Sequence, residues 1–128
     1  MISFLQEEAG LDTRTEQLRK RTKDFAVRIV YLFRSLPNTA EAQIIGRQLL
    51  HSGTAVGANY HAACRARSKA EFVSKIGIVT EEADESVFWI ELLSDVGVIK
   101  KERLEDLLRE SRELTAIFSA SRQTAKGR

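Results

Sequence analysis

A run of small side chains between Gly53 and Cys64 limits the folds open to this chain more than any other stretch. It contains two glycines four residues apart, Gly53 and Gly57, which lie on one strip of a helix. Glycine costs about 1 kcal/mol relative to alanine inside a helix, so its use here needs a compensating contact. The missing Cβ atoms let another backbone approach, which predicts a helix crowded within its own bundle and by a neighbouring subunit. The alternative is a loosely packed helix weakened by its glycines.

Four stretches show the three- and four-residue spacing of apolar side chains that is typical of amphipathic helices. The first predicted core stripe is Leu18, Thr22, Phe25, Ile29, Leu32 and Leu36. The second is Ala42, Ile45, Leu49, Ser52, Val56, Asn59, Ala63 and Ala66. The third is Phe72, Ile76, Val79, Ala83, Val87 and Ile90, and the fourth is Leu104, Leu107, Ser111, Leu114, Phe118, Ser121 and Ala125.

Short local motifs predict where these helices begin and end. The four-residue motifs that begin at Thr13 and Ser68 have the form of a capping box, in which the first side chain caps the helix that follows. Pro37 predicts the end of the first helix, since the residue before proline avoids the helical region. Asn38 is predicted to cap the second helix, and Gly97 suits the end of the third.

Helices of this length, joined by short turns, predict an all-α fold, an antiparallel up-and-down four-helix bundle. We expect one domain over residues 13–126, preceded by a short lead over residues 1–12. The formal net charge is +2, so bulk charge alone does not indicate a nucleic-acid partner. Cys64 is the single cysteine and no signal-peptide pattern is seen, which predicts a cytoplasmic protein. We interpret Cys64 as a small buried residue rather than a nucleophile.

The residues do not combine into a recognisable catalytic or metal site. Four-helix bundles often hold two iron ions with inward carboxylates and Glu-x-x-His pairs, but neither His51 nor His61 follows a glutamate by three residues. The chain has no glycine-rich phosphate loop, no cysteine pair and no plausible nucleophile–base pairing. The sequence therefore predicts a protein that is not an enzyme and that uses no metal or cofactor.

Charge is sorted by helix. Residues 71–95 carry seven acidic residues against Lys75, whereas the first helix is mainly basic. One interpretation is that these two helices are neighbours and pair across a groove. The other is that a basic face binds phosphate. Its predicted nucleic-acid-binding residues are Arg19, Lys20 and Lys23 in the first helix and Arg65, Arg67 and Lys69 at the second turn.

The far end of the third helix is apolar almost all round, which a single bundle core cannot cover. Phe88, Trp89 and Leu92 are therefore predicted to lie at a subunit interface, where aromatic residues are enriched. We place Gly53, Gly57 and Tyr60 in the same interface hypothesis. The alternative is that the N-terminal lead folds over the apolar end. For Asn59, on the core stripe of the second helix, both a structural role and a place in a site stay open.

Two segments carry a family resemblance: SGTAVGANYHAACRARSKAEFVSKIGIVTEEADESVFWIELLSDVGVI and LTAIFSASRQTAK. Over roughly residues 20–126 the chain resembles the bacterial four-helix-bundle proteins related to those encoded in intervening sequences of large-subunit ribosomal RNA genes. That family is similar to the accessory variability protein of diversity-generating retroelements. The resemblance implies a homopentameric ring with a basic channel, association with nucleic acid or a reverse transcriptase, and no enzymatic activity. The family often has arginine where this chain has His61.

These observations favour a non-catalytic, oligomeric helical bundle that contacts nucleic acid, or an enzyme acting on it, through basic residues. The expected partners are copies of the same chain, most simply five, with RNA or DNA and a reverse transcriptase or another protein as further partners. No membrane association is expected. The alternative function is a protein-interaction or scaffold module that uses Phe88, Trp89 and Leu92 and has no nucleic-acid role.

Overall fold

The computed structural model describes residues 11–127, which form four α-helices. They are α1 (Leu11–Ser35), α2 (Ala40–Ala63), α3 (Lys69–Asp95) and α4 (Lys101–Lys126). Helices that follow one another in the chain pack against each other, and α1 also touches α4 lightly. Across the described residues the backbones of α1 and α3 do not come close to each other, so these two helices lie diagonally. The predicted all-α fold, a four-helix bundle, is confirmed.

The ends of α3 follow the predicted motifs. The hydroxyl of Ser68 accepts a hydrogen bond from the Glu71 amide at 3.1 Å, so Ser68 is the N-cap of α3. At the other end Gly97 has a positive φ of 75°, which glycine adopts without steric cost. The Gly97 amide donates to Ser94 and the Val98 amide donates to Leu93, the two bonds of a Schellman motif.

Two predicted helix starts are wrong. Thr39, not Asn38, caps α2: its backbone is extended and its side-chain oxygen accepts from the Ala42 amide. Asn38 stands one residue too early to reach that amide. The helix α1 begins at Leu11, so Thr13 lies inside its first turn rather than before it.

The predicted core stripes are largely buried, with one informative exception in α3. Val87 is only half-buried, and the core position belongs to Ser86, which is fully buried. The Ser86 hydroxyl lies 2.8 Å from that of Ser52, which α2 places opposite it. Two small hydroxyl-bearing residues thus meet where α2 and α3 pack, and one hydroxyl donates a hydrogen bond to the other. Asn59 is half-buried and donates to the Ala55 carbonyl of its own helix at 2.9 Å, a contact that supports the structural role.

The predicted crowding of α2 comes from α1. A Cβ atom on Gly53 would lie 2.7 Å from Cγ1 of Ile29, and one on Gly57 would lie 3.2 Å from the backbone oxygen of Thr22. A third glycine, Gly46, faces α1 in the same way, and a Cβ there would meet the Leu36 side chain. The glycines therefore permit close packing inside the bundle, and the alternative of a loosely packed helix is wrong.

Candidate nucleic-acid interface

The up-and-down topology collects basic residues at one end of the bundle. The start of α1, the turn between α2 and α3 and the end of α4 lie together there. We call this region, residues 11–23, 57–75 and 118–127, the basic end. It contains eleven Lys and Arg residues and three Asp and Glu residues. The opposite end, residues 28–51 and 89–108, contains six of each.

All six predicted nucleic-acid-binding residues fall within the basic end. Three come from the turn, where Arg65, Arg67 and Lys69 are exposed. Buried Ala66 anchors this turn, and its amide donates to the Ala63 carbonyl. Among the described residues, Arg65 and Lys69 have no carboxylate partner, while Arg67 is 4.0 Å from a carboxylate oxygen of Glu71. The turn therefore presents three cations to solvent on a fixed backbone.

The other three residues lie along α1 and are partly neutralised by their own helix. A guanidinium nitrogen of Arg19 donates to Glu16 at 3.0 Å, and Lys20 donates to Asp24 at 2.6 Å. Lys23 is exposed and forms no ion pair with any residue in the described range. Pairs one helical turn apart contribute only a few tenths of a kcal/mol, so a phosphate group can compete for these cations.

An open groove lies between α1 and α2 and extends into the basic end. Its lining residues are Arg19, Thr22, Lys23 and Ala26 from α1, and Thr54, Gly57, Ala58 and His61 from α2. The groove has a volume of about 450 Å³ and a mostly apolar lining. It lies where Gly57 meets the α1 backbone; its cationic side chains come from the α1 wall and its imidazole ring from the α2 wall. The sequence did not indicate this groove, because its shape depends on how closely the two helices approach.

Two titratable side chains at the end of α2 are shielded from solvent: Tyr60 is buried and Cys64 is half-buried. The Tyr60 ring packs against Phe118 with centroids 5.0 Å apart. Burial raises the pKa of Tyr60 far above its usual range, and the nearby Cys64 raises it further. Burial also raises the pKa of the Cys64 thiol. A raised pKa disfavours the thiolate, which is the nucleophilic form, so Cys64 is poorly suited to nucleophilic chemistry.

The predicted pairing of basic α1 with acidic α3 is wrong, because the two helices are diagonal. Instead Arg21 of α1 bonds to Glu110 of α4 through two nitrogens at 2.7 Å, and also to Glu113. Two acidic residues of α3 reach other helices: Glu91 pairs with Arg112 of α4 at 2.9 Å, and Glu82 lies 3.9 Å from His51 of α2. The sequence analysis did not indicate this link between α1 and α4.

The residues predicted at an oligomer interface divide into two groups. Phe88 is 55% exposed and meets Trp89 edge-on, while Trp89 and Leu92 are half-buried. Gly53 and Tyr60 are instead buried inside the bundle, against Ile29 and Phe118 respectively. Their burial needs no second chain, since this bundle already covers them. The alternative cover for Phe88, the lead over residues 1–12, falls almost wholly outside the described residues.

Known proteins resemble this chain in sequence and in structure. A family model described as 23S rRNA-intervening sequence protein matches residues 14–120. The chain belongs to that family. Its fold is shared by a crystal structure of a protein of unknown function from the S23 ribosomal protein family of Bacteroides thetaiotaomicron. That structure has a TM-score of 0.79 and 33% identity, and the match covers 85% of this chain and 97% of the other.

One further comparison and two features of the structure limit the functions that can be assigned to this chain. No curated protein is similar enough to match the chain. Within residues 11–127, no group of three His, Cys, Asp or Glu side chains is arranged to hold a metal ion. None of the four helices, as far as the structure describes them, combines the length and the apolar run that a membrane crossing requires.

Proposed function

We propose that this protein is a non-catalytic bundle whose basic end binds the phosphate backbone of nucleic acid. The observation that carries the proposal is the excess of eleven cationic over three acidic residues at that end. Lysine and arginine contacts to phosphate release condensed counterions, which supplies most of the affinity of non-specific binding. Membership of a family described by an intervening sequence of ribosomal RNA is consistent with an RNA partner.

We further propose that the protein acts as a homo-oligomer, with a pentameric ring as the simplest form. In one copy Arg19, Lys20 and Arg67 each lie near a carboxylate, which reduces the number of cations free to contact phosphate. A ring would repeat the basic end around an axis and raise the effective concentration of binding sites on one strand. Such an assembly could present RNA or DNA to an enzyme such as a reverse transcriptase.

A charge-reversal experiment tests the nucleic-acid proposal. The triple variant Arg65→Glu, Arg67→Glu, Lys69→Glu removes the turn cluster. A matched control, Lys100→Glu, Lys101→Glu, Arg103→Glu, makes the same change in net charge with three exposed residues at the opposite end. Fluorescence anisotropy with labelled RNA at several salt concentrations would measure affinity and its salt slope.

We expect the turn variant to lose most of its affinity and to show a shallower salt slope, since each lost phosphate contact lowers that slope by about 0.7 for a single strand. The control variant should change much less. Equal losses in the two variants would mean that only net charge matters and would overturn the assignment to the basic end. Absence of RNA and DNA binding by the wild-type protein at low salt would overturn the function itself.

A protein-interaction module is the second candidate, favoured by the exposed Phe88 beside half-buried Trp89 and Leu92. Solution mass by light scattering tests it with Phe88→Glu, and Ile44→Glu serves as control because Ile44 is also exposed. We expect only Phe88→Glu to dissociate the oligomer, since a charge there would be buried between subunits. A wild-type monomer at micromolar concentration, or equal effects of both variants, would contradict this interface.

A further inference from the structure

The groove between α1 and α2 differs from the rest of the basic end in shape and chemistry. The cations of the turn are exposed and lie outside the groove, whereas the groove is concave and lined mostly by small side chains. Gly57, Ala26 and Ala58 leave the space open, and Arg19, Lys23 and His61 stand around it. Its volume of about 450 Å³ falls in the range of about 300–1,000 Å³ that is typical of small-ligand pockets.

The combination of an apolar lining with cations at the rim matches the two parts of a nucleotide. The flat face of the base is favourably packed away from water, and the phosphate group of the nucleotide is negatively charged. Unpaired bases are recognised by stacking on histidine rings or on the plane of an arginine guanidinium. His61 supplies such a ring from the α2 wall, and Arg19 and Lys23 supply positive charge from the α1 wall. Lys23 has no carboxylate partner among the described residues.

We propose that this groove receives a single unpaired nucleotide of a bound RNA or DNA strand. The base lies on the small side chains beside His61, and the phosphate contacts Lys23 and Arg19. A base inside a duplex cannot enter the groove without being unpaired and unstacked, which costs free energy. The groove therefore makes the basic end selective for single strands. This inference rests on the proposed function and adds to it the form of nucleic acid that is preferred.

The two histidines of the chain provide a matched test. Both are exposed residues of α2, but only His61 lines the groove. We would compare His61→Ala with His51→Ala in binding a short fluorescein-labelled RNA of unstructured sequence and the corresponding duplex. Stacking of a base accounts for roughly five- to 150-fold in affinity. We expect His61→Ala to bind the single strand about tenfold more weakly and the duplex unchanged, and His51→Ala to match the wild type.

A second pair of variants blocks the groove without changing charge. Ala58 is exposed on the groove wall, so Ala58→Leu fills the space and leaves the core untouched. Ala116→Leu makes the same change at an exposed position of α4 outside both the groove and the basic end. We expect Ala58→Leu to lose the preference for single strands and Ala116→Leu to keep it. Circular dichroism would show that both variants remain helical.

The outcomes separate this inference from the proposed function. Equal affinity of the wild type for single strands and duplex, or an unchanged preference in both His61→Ala and Ala58→Leu, would overturn the nucleotide site. In that case the proposal that the basic end binds nucleic acid would still be supported, provided that the triple variant of Arg65, Arg67 and Lys69 loses binding. Loss of duplex binding in His61→Ala would also count against the inference, because the histidine would then serve general affinity rather than selection.

Discussion

Helix α1 is attached to the bundle by two flanks that differ in kind. Against α2 it packs closely, because Gly46, Gly53 and Gly57 have no side chains and let the two helices approach. Against α4 it makes few contacts, and the main link is Arg21 with Glu110 and Glu113. The first flank depends on shape and the second on charge. The two flanks should therefore respond to different perturbations, volume on one side and salt on the other.

The largest effect is expected where shape is tightest. Gly53→Val places a branched side chain against Ile29, which is fully buried and cannot move away. Overpacking of this kind costs about 3 kcal/mol of unfolding free energy. Urea denaturation would measure the loss, which we expect to be the same at low and high salt.

Ala58→Val is the matched control for that variant, since it places the same side chain at an exposed position of the same helix. It should cost only the lower helix propensity of valine, roughly half a kcal/mol. Similar losses in the two variants would show that the glycine flank is not closely packed.

The charged flank should give a smaller effect that depends on salt. Arg21→Met keeps the aliphatic stem but removes three hydrogen bonds to the two glutamates. The side chain of Arg21 is about one third exposed, so solvent screening limits the loss to about 1 kcal/mol. We expect the loss to shrink at high salt. Arg112→Met, which breaks a more exposed pair with Glu91, should cost less; a larger cost there would reverse the ranking.

The charge of Glu82, where α2 and α3 meet, should destabilise the folded protein, whereas the charge of Arg21 stabilises it. Burial raises the pKa of Glu82, and the nearby Glu85 raises it further. The folded protein thus holds this proton to a higher pH than the unfolded chain does, so this stabilising contribution is lost as pH rises through the folded pKa.

We therefore expect Glu82→Gln to be slightly more stable than the wild type at pH 7, within about 0.5 kcal/mol. The difference should shrink toward pH 4, where the wild-type carboxyl gains its proton. Urea denaturation at both pH values would measure it, with Glu81→Gln as the exposed control. A stabilisation that grows toward low pH would contradict the assignment.

The smallest effect is expected at the second glycine of the close flank. In Gly57→Ala, the gain of about 1 kcal/mol in helix propensity is offset by a Cβ atom 3.2 Å from the Thr22 backbone oxygen. We expect almost no net change in unfolding free energy. Gly77→Ala should be more stable than Gly57→Ala, because the atoms nearest its new Cβ belong to the flexible side chain of Arg122. The reverse order would mean that the α1 backbone yields more easily than that side chain.

Local chemistry made much of the fold predictable. Ser68 and Gly97 act within a few residues of the chain, so their motifs could be recognised without tertiary information. The core position of Ser86 in place of Val87 could not be recognised in this way, because steps of three and of four residues both satisfy helical periodicity. The hydroxyl of Ser52 on the opposite helix is what favours serine at that position.

The candidate site was predictable only in part. The predicted topology already implied that α1 and α3 are diagonal, so pairing between them could have been rejected from the fold alone. The same topology places Arg19 and Arg65 at one end of the bundle. The groove beside Arg19 depends on the distance between two backbones and on side-chain conformation, which no pattern of residue types specifies.

The shared space of Gly53 and Ile29 has an evolutionary consequence. A relative cannot carry a larger residue at position 53 while it keeps isoleucine at position 29, because the two side chains would occupy the same space. Relatives that carry a bulkier residue at position 53 are expected to carry alanine or glycine at position 29. The two positions should therefore covary across the family, with the sum of their side-chain volumes nearly constant.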